Sequence, residues 1–176
     1  MGFDYEKLIA DIPDFPKPGV VFKDITPLLA DPEGFAAVMR GIADPYRAAG
    51  VTKVVGSEAR GFMIGAPVAA ELGAGFVPAR KPGKLPREAV SQEYDLEYGT
   101  SELQVHSDAF GPEDRVLIVD DLIATGGTMV AQIGLVKQLG AELVGIACLM
   151  ELEFFHPRDV LANVTDCELH SLVKVS

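Results

Sequence analysis

Arg115-Val116-Leu117-Ile118-Val119-Asp120-Asp121-Leu122-Ile123-Ala124-Thr125-Gly126-Gly127-Thr128-Met129 is a buried strand, an acidic pair and a glycine turn in immediate succession. Val116 to Val119 is apolar and mostly β-branched, the pattern of a strand covered on both faces in a parallel sheet. Two carboxylates end it, and a small-residue turn leads into a helical pattern from Met129 to Leu139. In open α/β sheets, ligands bind where strands end and helices begin. Small residues there expose backbone N–H groups, and the helix dipole adds partial positive charge, so the turn suits a phosphate. Gly126 and Gly127 supply permissive dihedrals, and Thr125 and Thr128 supply hydroxyl donors.

Carboxylates repel a bare phosphate, yet they are acceptor-only groups suited to a sugar diol. A phosphate held by amides beside a ribose held by Asp120 and Asp121 describes a phosphoribosyl group. A lone acidic pair would equally serve as a helix cap after a buried strand. It is the whole run that favours a ligand, and the chain contains neither GxxxxGK[ST] nor GxGxxG. The run resembles the binding motif of the type I phosphoribosyltransferases, which bind 5-phosphoribosyl 1-pyrophosphate.

A chain of 176 residues suggests one domain with a sizeable core. The net charge of −11 argues against nucleic acid as the main partner, although a site can be locally basic. Cys148 and Cys167 fall in apolar segments and read as free thiols in a reducing compartment. With His106, His156 and His170 they make no metal-ligand spacing. No window approaches a membrane span or a signal peptide, so a cytoplasmic location is expected.

Along the chain, Tyr5 to Ile12 suits a short amphipathic helix. Four prolines between Pro13 and Pro27 predict a stiffened surface segment without regular structure, exposing Val21, Phe22 and Lys23 to a flat base or serving as a packed arm. A helix is expected from Pro32 to Ala49, with Gly41 and Pro45 weakening its continuity. Lys53 to Gly56 reads as a strand, followed by a loop with Glu58, Ala59 and Arg60 and a helix through Leu72. That arginine loop fits either an anion site for pyrophosphate or an Arg–Glu surface pair. Gly75 to Arg80 is a strand running into Arg80, Lys81, Lys84 and Arg87, a local reversal of an acidic chain. Glu88 to Leu103 is polar enough to suggest a mobile β-hairpin that buries little, and Gly111 to Asp114 reads as a turn. Strands are expected at Glu142 to Leu152 and Glu168 to Val175. Alternating strands and helices imply an α/β chain, with an open, mostly parallel sheet flanked by helices.

Four separated segments, Asp14 to Pro27, Glu58 to Phe62, Arg80 to Pro86, and Leu96-Glu97-Tyr98-Gly99 with the Asp120 to Thr128 run, together resemble the adenine phosphoribosyltransferases. The resemblance implies a type I phosphoribosyltransferase-like fold, with an N-terminal base-binding hood over residues 1–30 and a flexible flap over 83–105. It implies that Val21, Phe22 and Lys23 bind adenine, the Val21 backbone reading the base edge and Phe22 stacking. Glu58, Ala59, Arg60, Arg80, Lys81 and Lys84 would hold pyrophosphate. Asp120 and Asp121 would take the ribose hydroxyls, and Ala124, Thr125, Gly126, Gly127 and Thr128 the 5-phosphate. Glu97 is the implied general base, with Tyr98 and Arg60 completing the catalytic set. Mg²⁺ would arrive bound mainly through phosphoribosyl pyrophosphate, with no direct protein ligand, and the protein would be a homodimer. The rival readings are an enzyme for another base and a non-catalytic phosphoribosyl pyrophosphate sensor. The latter should carry a DNA-binding module or a broad basic face.

Overall fold

The computed structural model describes residues 2–96 and 99–176. The apolar run lies in β7 (Arg115–Ile123), the middle strand of a five-stranded sheet. Its neighbours are β3 (Lys53–Ser57) and β8 (Glu142–Leu152), with β4 (Gly75–Ala79) and β9 (Leu169–Val175) at the edges. Every pairing in this sheet is parallel. A sheet covered on both faces needs successive apolar positions, and β7 shows why. Val116 and Ile118 enter the core layer shared with Met129, Ile133 and Val136 of α4 (Gly127–Gln138). Leu117 and Val119 enter the opposite layer, with Val38 and Ile42 of α2 (Pro32–Ala43) and Ile64 and Val68 of α3 (Arg60–Leu72).

The spatial order β4-β3-β7-β8-β9 departs from chain order at one place, between β3 and β7. The sheet grows outward from there in both directions, so the loops after β3 and β7 part and leave a crevice at the strands' carboxyl ends. Those loops carry Glu58–Arg60 and Ala124–Thr128 respectively.

Two smaller sheets flank this crevice. β1 (Ala10–Pro13) and β2 (Val21–Asp24) pair antiparallel, and α1 (Thr26–Ala30) follows. β5 (Ala89–Leu96) and β6 (Gly99–His106) form an antiparallel hairpin. Its lower half is anchored: Leu103 and Val105 are buried, Val90 and Tyr94 pack on the α4 core layer, and Arg80 and Gln104 exchange backbone hydrogen bonds of 2.8 and 2.7 Å. The expectation that this segment buries little is therefore corrected, because its alternate residues face the core even though the sequence is polar on average.

Other boundaries also moved. Tyr5–Leu8 is a short 3-10 turn, and the chain then extends into β1, because pairing with β2 satisfies the backbone that a helix would have served. The proline-rich segment holds regular structure at both ends; its tip closes with the Gly19 amide donating to Asp14 Oδ1 at 2.8 Å. The α2 helix stops at Ala43 and tightens to a 3-10 turn over Asp44–Tyr46, where Pro45 has no N–H to continue the ladder. A further short helix, α5 (Pro157–Ala162), had no counterpart in the sequence reading. Among the described residues, no helix is long and apolar enough to cross a membrane.

Candidate active site

The two carboxylates do not end β7, which stays paired with β8 through Leu122 and Ile123; within this last part of the strand Asp120 is 4 % and Asp121 5 % exposed. Both Asp120 oxygens are already engaged: Oδ1 accepts from the Asp121 amide at 2.9 Å, and Oδ2 accepts from the buried Ser57 hydroxyl. Gly61, in the first turn of α3, allows this approach, since a Cβ there would stand 2.5 Å from Asp120 Oδ1. Burial, together with the neighbouring Asp121 charge, pushes the Asp120 carboxyl well above the ordinary carboxylate range. Asp121 is also pushed up by burial, with the Arg60 charge pulling the other way.

Arg60 links three parts of the crevice. Its Nε lies 3.0 Å from Asp121 Oδ2, and its guanidinium carbon stands 5.3 Å from the centre of the Phe22 ring, a cation–π geometry. The Arg60–Asp121 contact is ionic without hydrogen-bond alignment, so Asp121 Oδ2 is a buried acceptor with no donor among the described residues. The Glu58–Ala59 peptide just before it is cis.

Glu58 gathers the basic segment. It accepts from the Lys81 amide at 2.7 Å, and its Oε1 lies 3.4 Å from Arg80 Nε. That amide hydrogen bond and the nearby Arg80 hold its carboxyl below the usual range. Arg80 Nη1 donates to the Lys84 carbonyl at 3.4 Å, while the Lys81 and Lys84 side chains stand exposed. Arg80 Nε lacks a hydrogen-bond partner among the described residues. Buried polar atoms are normally satisfied, and these two instead face ionic partners without hydrogen-bond alignment, Asp121 Oδ2 the Arg60 Nε at 3.0 Å and Arg80 Nε the Glu58 Oε1 at 3.4 Å.

Two cavities meet here. A cleft of about 470 Å³ is lined by Val21, Phe22, Lys23, Arg60, Leu122, Phe154 and neighbouring residues. A smaller one of about 160 Å³ is lined by Leu122 to Met129, and Leu122 borders both. Gly126 caps α4 at φ +88° with no side-chain hydrogen bond, which leaves the first-turn amides to a ligand. Val21 stands opposite Pro13 in the β1–β2 pair, and Pro13 has no N–H to donate across to it. Lys23 is tied to Asp11 at 2.6 Å.

A model of the phosphoribosyl transferase domain matches residues 24–165. An adenine phosphoribosyltransferase of Streptomyces clavuligerus is 55% identical over 150 residues, which span 85% of this chain and 84% of that protein. The chain belongs to the adenine phosphoribosyltransferase family. The crystal structure of the adenine phosphoribosyltransferase from Thermoanaerobacter pseudethanolicus matches with a TM-score of 0.91 and 47% identity over 97% of both chains. APRTase from Giardia lamblia complexed with 9-deazaadenine matches at 0.92 with 38% identity, covering 98% of this chain and 97% of that one.

In this adenine phosphoribosyltransferase-family chain, Val21, Phe22, Lys23 and Arg60 line the larger cleft and Ala124 to Thr128 the smaller one, while Asp121 joins the first through Arg60, and Glu58, Arg80 and Lys81 form a separate cluster after β3 and β4. Glu97 and Tyr98 lie outside the described residues. Arg60 is paired with Asp121 and not with Glu58, so the Arg–Glu alternative for that loop is replaced by a contact across the switch point. Sequence reasoning missed Ser57, and it missed Leu122, Leu152 and Phe154 of the cleft lining. Ser57 adjoined the Glu58 loop, but nothing in its type signalled a bond to a residue 63 positions away. Phe154, which lines the cleft, packs against Phe155 as a solvent-exposed aromatic pair in the 3-10 turn after β8, a turn that Lys174 of β9 holds through Glu153.

Proposed function

We propose that the protein transfers the 5-phosphoribosyl group from phosphoribosyl pyrophosphate to N9 of adenine, releasing AMP and pyrophosphate in purine salvage. The observation that carries this reading is the shared wall at Leu122 between an aromatic cleft and a glycine-turn cavity, with a donor-less buried carboxylate oxygen beside it. A planar base, a phosphate and a sugar diol need those three environments, in that order.

The base enters between Phe22 and the apolar wall of Leu122 and Phe154, where stacking adds to burial. The Val21 carbonyl, which takes nothing from Pro13, accepts from the exocyclic amino group of adenine, a donor that hypoxanthine lacks. Asp121 Oδ2 accepts from a ribose hydroxyl, and Asp120, fixed by Ser57, holds its neighbour's backbone in place. The Ala124–Thr128 amides and hydroxyls take the 5-phosphate. Bond cleavage at the anomeric carbon separates an oxocarbenium-like sugar from a polyanion. Arg60, Arg80, Lys81 and Lys84 stabilise that departing charge, with the Glu58–Ala59 peptide forming the loop beneath it. Glu97 removes the N9 proton and Tyr98 covers the sugar.

Among the described residues, no three His, Cys, Asp or Glu side chains cluster to hold a metal ion, and Asp120 has both oxygens committed. Mg²⁺ would arrive bound mainly through phosphoribosyl pyrophosphate. When bound, it neutralises charge on the leaving group. The working form is a cytoplasmic homodimer.

A panel of free bases with phosphoribosyl pyrophosphate and Mg²⁺ tests the reading. AMP and pyrophosphate from adenine, with little product from hypoxanthine, guanine, xanthine or orotate, are expected. A preference for another base overturns the base assignment, and no product from any base overturns the activity.

A further inference from the structure

Glu151 is a buried acid that the reaction does not use. It is 1 % exposed, near the end of β8 and in register with Ile123, the residue before the phosphate turn. Arg158 of α5 grips it through both oxygens, Nε to Oε1 at 2.8 Å and Nη2 to Oε2 at 2.7 Å. Ser171 of β9 donates to the same Oε2 at 2.7 Å, and Arg158 Nη2 reaches the Ser171 hydroxyl at 3.3 Å. Burial pushes the Glu151 carboxyl up, but Arg158 and Ser171 more than offset it and hold the group ionised, below its usual range. One carboxylate thus ties β8, β9 and α5 together.

The tie matters because of what α5 touches. It has only six residues, of which Pro157 and Leu161 are buried, and it is entered through His156 at φ +52°. So short a helix does not hold itself in place. Its opposite side stands behind the phosphate turn: the space a Cβ on Gly126 would occupy lies 3.5 Å from Val160 Cγ1 and 3.7 Å from the Pro157 carbonyl. The left-handed Gly126 is the residue that aims the first amides of α4 into the small cavity.

We propose that Glu151 and Arg158 are positioning residues for 5-phosphate binding, their two-pronged pair pressing α5 against the back of Gly126. A planar fork fixes both the distance and the angle of α5, which a single-point contact would not. The inference rests on the phosphoribosyl reading of the Ala124–Thr128 turn.

The test compares wild type with Glu151→Gln/Arg158→Gln, which leaves no unpaired buried charge, and with Arg158→Lys, which keeps the charge and loses the fork. Calorimetry with ribose 5-phosphate and initial rates with adenine and phosphoribosyl pyrophosphate are the readouts. We expect the double variant to weaken ribose 5-phosphate and raise KM for phosphoribosyl pyrophosphate by about tenfold, with KM for adenine within about twofold, as sub-ångström misplacement of a binding loop does. Arg158→Lys should show roughly a threefold loss in the same direction, and it decides the matter if the double variant does not fold. Unchanged ribose 5-phosphate affinity in a folded variant, or equal losses for adenine and phosphoribosyl pyrophosphate, overturns the positioning role. Failure of the wild type to bind ribose 5-phosphate would instead remove the reading of the turn itself.

Discussion

At the scale of single residues, the site places charge where water cannot reach it, at a cost to stability. The folded chain binds protons at Asp120 and Asp121 more tightly than the unfolded chain does, because burial raises both. Their contribution to stability is therefore present at low pH and lost as pH rises from the ordinary carboxylate range through the raised values. Sugar binding runs the opposite way, since a protonated Asp121 is a poorer acceptor; affinity for phosphoribosyl pyrophosphate should fall as pH drops through the same window. Asp120→Asn removes the buried charge and keeps the shape, so it should raise Tm at neutral pH by about 2–4 °C. The same change should raise KM for phosphoribosyl pyrophosphate, and a lowered Tm in a calorimetric scan would contradict the cost assigned to that burial. Glu97→Gln should lower kcat by roughly 10²–10⁴ with little change in KM, and an unchanged kcat removes Glu97 from the chemistry. The acids themselves were legible in the sequence, because two adjacent carboxylates ending an apolar run are unusual. That Ser57 would engage one of them was not, since it depends on two strands meeting side by side.

At the scale of elements, the long ones followed from their patterns and the short ones did not. β8 and α4 carry apolar runs long enough for their bounds to be read to within two residues, whereas β7, expected to stop at its two carboxylates, runs through them to Ile123 because its pairing with β8 continues there. α1 and α5 have five and six residues and exist only where neighbours hold them, while β1 owes its form to β2. The β5–β6 hairpin shows the same limit: its polar average concealed a buried face. Leu103→Ala should cost about 2–5 kcal/mol in urea unfolding if that face is core, whereas a loss near zero would mean that the hairpin does not dock. The phosphate turn depends on one backbone conformation. Gly126→Ala meets only ordinary contacts at Val160, so its effect comes from φ +88°. The strain of about 1–2 kcal/mol should weaken ribose 5-phosphate several-fold by calorimetry and leave adenine binding nearly unchanged. Equal affinity in the alanine variant would mean that the turn does not need the left-handed residue.

At the scale of the whole molecule, one topological feature organises the chemistry. The sheet reverses its order of growth between β3 and β7, and the arginine loop and the glycine turn leave from those two strands. Alternation of strands and helices made the α/β class legible, and the motif on β7 pointed to the place where a ligand would sit. The spatial order of strands was not legible, because a parallel neighbour is chosen by packing and not by any local signal. The N-terminal pair β1–β2 then brings Phe22 over Arg60, which itself reaches Asp121, so these three residues form one continuous path along which the proposed base and sugar would lie. A crystal structure with AMP bound tests this path most directly. The account predicts the 5-phosphate within hydrogen-bond distance of the Ala124–Thr128 amides, a ribose hydroxyl on Asp121 and adenine against Phe22. A nucleotide seated elsewhere, with the turn after β7 empty, would contradict it.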